Sequence, residues 1–169
     1  MTQTHAGRVV WITGLSGSGK TTLARALLEA VPDAILLDGD ELRYVLGSTA
    51  KGFDAESRKR LALTYARLAE VLSKQGKTVL VATISLFHEV HSWNRTNLPN
   101  YLEVFLDIKE ETRKKRDPKG LYKKEAHGFV SEMVGSKIQP EIPISPDLYF
   151  DESFDVKTEC EIVLKRIKR

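Results

Sequence analysis

Five apolar runs punctuate the chain: "RVVWIT" (8–13), "AILLD" (34–38), "TVLVAT" (78–83), "LEVFLD" (102–107) and "DLYFD" (147–151). Each is continuous rather than alternating, the pattern of a strand covered on both faces. Helical spacing fills the intervals over 20–31 and 55–75. In the second of these, Leu61, Tyr65, Leu68 and Leu72 recur at four, three and four residues and are expected to face the core. Strands alternating with helices predict an α/β fold, a mainly parallel five-stranded sheet with helices on both faces. Ligands of such sheets bind beyond the carboxyl ends of the strands. Residues 117–146 break the pattern with few apolar positions, clustered lysines and four prolines. They read as a lid over a site, so residues 1–169 are expected to form one domain.

Composition narrows the class. At 169 residues, 41% hydrophobic and 29% charged, the chain can bury a core without disulfides or a structural metal. No apolar run approaches a membrane span, and "MTQTHAG" at the start lacks the features of a secretory signal. The lone Cys160 cannot form an internal disulfide and is expected to be a buried small residue, so a cytoplasmic location without a membrane partner is the expectation. The net charge of +3 is concentrated in "RKKRDPKGLYKK" (113–124) and "LKRIKR" (164–169). Neither run has the interleaved aromatics of a polynucleotide binder, which favours small phosphorylated ligands over nucleic acid. The last six residues fit a solvated helix end whose cations complement the helix dipole.

The most specific signal is "GLSGSGKT" at 14–21, which matches the phosphate-loop pattern G-x-x-x-x-G-K-[ST] in full. A predicted strand precedes it and a predicted helix follows, as the mechanism requires. Gly14, Ser16, Gly17, Ser18 and Gly19 let the backbone amides curl toward phosphate oxygens, and the following helix, with Thr22 in its first turn, presents its positive end. Lys20 is placed to reach the outer phosphates and Thr21 to ligate Mg2+. The "NKxD" that reads guanine in GTPases is absent, which makes ATP the expected nucleotide and a small-molecule kinase the expected class.

The second strand ends in "LLDGDELR" (36–43), two carboxylates flanking a glycine on the side of the phosphate loop. A kinase needs a group that orients the acceptor hydroxyl and takes its proton, and a second that completes the metal shell. Asp40 is assigned to the first role and Asp38 to the second. The same acidic turn would also serve as a cap for a helix starting near Glu41.

Together these residues resemble the adenylylsulfate kinase family. The resemblance is carried by "WITGLSGSGKTTLA", by "LDGDELR" and by "RDPKGLYKK" at 116–124, with weaker similarity in "GFDAESRK" (52–59) and "PEIPISPDL" (140–148). It implies a P-loop kinase fold and transfer of the γ-phosphoryl group of ATP to the ribose 3′-hydroxyl of adenylyl sulfate, with Mg2+, in sulfate assimilation. It also implies a homodimer. Residue by residue, it places Asp40 at the acceptor hydroxyl and Arg43 on the phosphosulfate. Phe53 and Arg58 fall on the acceptor nucleotide, Ser85 on the retained serine after the third strand, and Arg116 near the ATP base. Lys119, Gly120 and Leu121 fall in the lid. Taken alone, Phe53 would read as a core residue, Arg58 as a surface arginine, and Lys123 and Lys124 as a solvated face.

The departures cluster on the acceptor side. Leu61 stands where the family has an asparagine, "SLFHEVHSWNR" (85–95) replaces the family's "SPYR" region while keeping Ser85 and Arg95 and adding Trp93, and "GSKIQPEIP" (135–143) alters a third motif. This stretch is similar to a branch of the family that phosphorylates cytidine diphosphoramidate, which gives the alternative acceptor. Polynucleotide kinase and non-catalytic nucleotide-binding module are the remaining alternatives. The second lacks support because Lys20 and Asp40 are both present. His88 and His91 share a predicted helical face without an evident third ligand and are expected to be surface histidines.

Overall fold

In a computed structural model, which describes residues 7–117, 120, 123–124 and 138–168, the five expected strands form one sheet. They are β1 (Arg8–Gly14), β2 (Ile35–Asp38), β3 (Thr78–Thr83), β4 (Leu102–Leu106) and β5 (Leu148–Phe150), in spatial order β2-β3-β1-β4-β5. Every pairing is parallel. Among the described residues, the helices that connect or follow them are α1 (Lys20–Ala30), α2 (Gly39–Leu46), α3 (Ala55–Lys74), α4 (His88–Asn97), α5 (Glu110–Arg116) and α6 (Val156–Ile167). A 3-10 turn, Gly47–Ala50, follows α2.

The pleat divides the core into two layers. Val9 and Trp11 of β1 pack with Ala62, Tyr65 and Ala66 of α3 and Val90 of α4 on one face. Val10 and Ile12 pack with Leu23 and Leu27 of α1 and Val163 of α6 on the other. Because both faces are covered, the central strands tolerate no polar alternation, the physical reason their sequences run continuously apolar. A fully buried Leu or Ile in these layers contributes roughly 1.5–3 kcal/mol.

The expected stripe on α3 is displaced. Leu61 and Tyr65 are buried, but Leu68 is 38% exposed, and the buried face continues through Ala62, Ala66, Ala69 and Ser73. Small side chains let α3 lie close to the sheet and leave Leu68 outside. Aspartates set the starts of two helices: Asp54 accepts from Ser57 N at 2.9 Å before α3, and Asp155 accepts from Thr158 N at 2.7 Å before α6. Cys160 is buried, as expected, and Lys165 and Arg166 occupy the last turn of α6. No helix among the described residues is long and apolar enough to cross a membrane.

One buried carboxylate lies in the first turn of α6. Glu159 is 7% exposed, and burial pushes its carboxyl up from the ordinary 4.5 to about 7, against the opposing pull of the Arg116 guanidinium and with the Asp155 charge. A carboxyl raised in the folded state binds its proton more tightly there than in the unfolded chain. Its contribution is therefore fully present below 4.5 and lost as the pH rises to about 7. Glu159→Gln, which keeps the shape without the charge, should stabilise the fold by on the order of 1 kcal/mol at pH 8 and leave it nearly unchanged near pH 4. Urea unfolding at the two pH values checks this, and an equal effect at both would contradict it.

Candidate active site

The site is built at the carboxyl edge of the sheet, where β1, β2 and β3 end. The loop after β1 turns tightly: Ser18 N donates to Leu15 O at 3.1 Å, and Gly19, in the left-handed region at φ 98°, precedes the first turn of α1. Gly17 has φ 81°, and a Cβ there would lie 2.8 Å from the carbonyl oxygen of Arg113. A side chain would be strained in conformation and would strike α5, so glycine is required twice over. Ser16 and Ser18 are buried in the loop, whereas Thr22 is exposed on α1. Lys20 Nζ donates to Leu15 O at 2.9 Å, laying the ammonium across its own loop.

The aspartate turn meets this loop directly. Thr21 Oγ1 donates to Asp38 Oδ2 at 2.8 Å, and Asp38 Oδ1 accepts from the amide of Asp40 at 3.0 Å, capping α2. Asp38 is 6% exposed with both oxygens engaged, whereas Asp40, one turn-position further, is exposed. Capping and site chemistry thus coexist, with the cap made by Asp38. The hydroxyl of Thr21 and the carboxylate of Asp38 are hard oxygen donors meeting at the phosphate loop, a donor set that fits Mg2+. Among the described residues no group of three or more His, Cys, Asp or Glu side chains could hold a metal, so His88 and His91 lack a third ligand.

Three residues expected at the acceptor come together. Phe53, 52% exposed, is flanked by two guanidinium groups, with Arg43 Cζ 4.8 Å and Arg58 Cζ 5.4 Å from its ring centre. Arg58 Nε donates to Phe53 O at 2.6 Å, and Arg43 Nη1 donates to the carbonyls of Ala50 and Gly52. Such stacking holds an aromatic face and two cations in one exposed patch. Phe53 is therefore not a core residue. Leu61 faces inward from α3, 7% exposed, and lines a cleft of about 420 Å³ with Ala50, Gly52 and Thr64.

Other expected residues divide. Ser85 is buried at the turn after β3, and Arg116 Nη1 reaches Gly17 O at 3.4 Å over the phosphate loop. Gly120 has φ 62° and follows Asp117, whose carbonyl accepts its amide at 3.0 Å. Lys119 and Leu121, with most of the expected lid, lie outside the described residues. Lys123 and Lys124 are exposed, as for a solvated face. Arg95 does not join the site: it pairs with Glu103 and Asp147 beside the start of β4. His88 is exposed, but His91 is 7% exposed, which corrects the expectation of a surface histidine: its ring Nε2 lies 3.0 Å from Ser85 O.

Several site residues had no motif to mark them. Tyr65 donates its hydroxyl to Gly39 O at 3.1 Å, and burial raises its pKa to about 12, so it stays protonated and holds the aspartate turn. Arg113 is 7% exposed, with Nε donating to Ile108 O at 2.9 Å while its backbone supports Gly17. Glu141 accepts from the amide of His88 at the start of α4, and its own amide donates to Leu86 O at 3.0 Å, anchoring this segment beside α4. The absence of a side chain at Gly17 hints at Arg113. No local signal points to Tyr65 or His91, since their partners are distant in sequence.

Comparison with known proteins agrees with this arrangement. The family model described as Adenylylsulphate kinase matches residues 6–151. The cytidine diphosphoramidate kinase of Campylobacter jejuni subsp. jejuni is 38% identical over 165 residues, covering 94% of this chain and 95% of that protein. The adenylyl-sulfate kinase of Deinococcus deserti is 43% identical over 147 residues, covering 85% and 81%. Among solved structures, the APS kinase of Mycobacterium tuberculosis in complex with AMPPNP and APS superposes with a TM-score of 0.89 at 31% identity, covering 97% of this chain and 99% of that one. With its phosphate loop, aspartate turn and sheet order, the chain belongs to the adenylylsulphate kinase family.

Proposed function

We propose that the chain transfers the γ-phosphoryl group of ATP to the ribose 3′-hydroxyl of a nucleotide-type acceptor, adenylyl sulfate, giving the 3′-phosphorylated product and ADP. The observation that carries this reading is the direct bond between Thr21 and Asp38, with Asp40 exposed beside it and the Arg43–Phe53–Arg58 cluster beyond. Lys20 and the loop amides bind the β- and γ-phosphates. Thr21 and Asp38 would hold Mg2+, which would supply charge neutralisation on the phosphates. Asp40 orients the 3′-hydroxyl and accepts its proton as the new O–P bond forms and the bond from the γ-phosphorus to the bridging oxygen breaks. Asp38 is less suited to that role than Asp40 because it is buried and committed to Thr21 and the first turn of α2. Arg43 and Arg58 grip the acceptor's oxyanions, Phe53 stacks on its base, and Ser85 lies on the same side. Arg116 covers the ATP base, and Lys119, Gly120 and Leu121 close over both nucleotides to exclude water.

A second acceptor, cytidine diphosphoramidate, is favoured by Leu61. An alkyl group in place of an amide leaves a cleft that cannot hydrogen-bond its ligand there, and polar pairing discriminates more sharply than apolar fit. The relative that phosphorylates this compound spans nearly the whole chain. A cytoplasmic homodimer without a nucleic-acid partner completes the reading.

Two variants test it. Asp40→Asn should lower turnover by at least about a hundredfold while leaving the affinity for a non-hydrolysable ATP analogue unchanged. Turnover near wild type would remove Asp40 from the role of base. Leu61→Asn should raise kcat/KM for adenylyl sulfate relative to cytidine diphosphoramidate by several-fold, roughly one hydrogen bond's worth. Both are read by ADP release, with phosphorus NMR identifying the 3′-phosphomonoester. An unchanged ratio would show that position 61 does not select the acceptor.

A further inference from the structure

The turn after β3 is strained and held from behind. Ser85 has φ +33°, a region side chains rarely adopt, and such a conformation persists only where its surroundings fix it. Its hydroxyl pairs with Thr83 Oγ1 at 2.8 Å, and its carbonyl accepts from Phe87 N at 3.0 Å. The preceding carbonyl, that of Ile84, accepts from the hydroxyl of Thr13 at the end of β1. A further contact comes from α4, where His91 Nε2 lies 3.0 Å from Ser85 O.

The turn also touches the aspartate loop. A Cβ placed on Gly39 would lie 3.2 Å from Thr83 Oγ1, so the hydroxyl pair lies against the residue between Asp38 and Asp40. Displacement of Ser85 would therefore move Thr83 and reach the aspartates within two contacts.

His91 is built to serve as a donor. A carbonyl only accepts, so Nε2 must carry the proton toward Ser85. Trp11 of β1 and Glu103 of β4 are register partners and share one face of the sheet, and the Glu103 charge acts on the His91 ring. Glu103 accepts from Tyr101 and Arg95, and Asn94 donates to the Tyr101 hydroxyl. Burial disfavours the imidazolium, although the Glu103 charge opposes that effect. Burial thus favours the neutral ring, and the Ser85 carbonyl selects the Nε2–H tautomer.

We propose that His91 is a positioning residue of the acceptor site: its Nε2–H, donated to the Ser85 carbonyl, locks the turn after β3 and so sets the Ser85–Thr83 hydroxyl pair against the aspartate loop. The inference rests on the assignment of Ser85 to the acceptor side. His91 itself, buried under α4, touches no reacting atom.

Two substitutions separate donation from packing. Leucine fills much of the ring's volume but cannot donate, whereas glutamine carries an amide N–H at a similar reach. His91→Leu should raise KM for the acceptor that the wild type uses, adenylyl sulfate or cytidine diphosphoramidate, by on the order of tenfold and lower kcat. The Kd for the ATP analogue AMPPNP should stay within about twofold, and His91→Gln should recover most of the loss. Wild-type acceptor kinetics in His91→Leu, a parallel loss of AMPPNP affinity, or a glutamine variant as impaired as the leucine variant would each overturn the proposal. If His91→Leu does not fold, nitrogen NMR of the wild-type ring decides: the Nε2–H tautomer is expected, and an Nδ1–H tautomer would overturn it. A wild-type chain that phosphorylates neither acceptor would refute the function proposed above, while the ring tautomer would still decide whether His91 donates to Ser85.

Discussion

The hydrogen bond from Thr21 to Asp38 joins two parts of the sheet that do not touch. β1, which delivers the phosphate loop, and β2, which delivers the aspartates, are separated by β3, so α1 must carry Thr21 across to meet the end of β2. The bond also settles an electrostatic problem. A carboxylate at 6% exposure would cost several kcal/mol if left unpaired, and Asp38 avoids that by accepting from Thr21 on one oxygen and from the first turn of α2 on the other. Asp38 is committed in this way, whereas its neighbour Asp40 is exposed. The two carboxylates thus differ in burial.

The donor half of the site depends on backbone. Loop amides and the α1 terminus bind phosphate without reading side chains, so what the sequence must supply is room. Gly17 supplies it against Arg113, whose guanidinium is in turn satisfied by Ile108. The basic run beginning at Arg113 therefore starts with a buried residue and reaches the phosphate loop at Arg116, where a guanidinium lies 3.4 Å from Gly17 O. Charge alone does not separate the two, but burial does.

This explains what the sequence reveals and what it hides. The strands were legible because double burial writes a continuous apolar run, and the phosphate loop because its spacing serves one mechanism. Leu68 misled because alanine contributes little to a hydrophobic stripe yet permits the closest packing, so the true buried face of α3 passes through Ala62, Ala66 and Ala69. His91 misled for a different reason. A histidine between Val90 and Ser92 on a short helix carries no local mark of burial, and its partner at Ser85 is placed only by the positive-φ turn. Phe53 and Arg58 could be recognised only through their order in the family motif, since each alone is ordinary, and the stack that unites them with Arg43 is tertiary.

The proposed acceptor half is made of side chains rather than backbone. Arg43 and Arg58 place two like charges against the Phe53 ring, an arrangement that favours an anion in the same patch. Arg43 currently satisfies part of its fork with the carbonyls of Ala50 and Gly52, so an oxyanion would gain charge-assisted bonds by drawing it away. Leu61 lines a cleft with those two residues. It lies three residues after Arg58 on α3 and packs into the core layer that includes Leu37, the neighbour of Asp38. A substitution at this position changes the lining of the cleft whose Ala50 and Gly52 carbonyls hold Arg43, whereas the Thr21–Asp38 bond is made by residues outside that cleft.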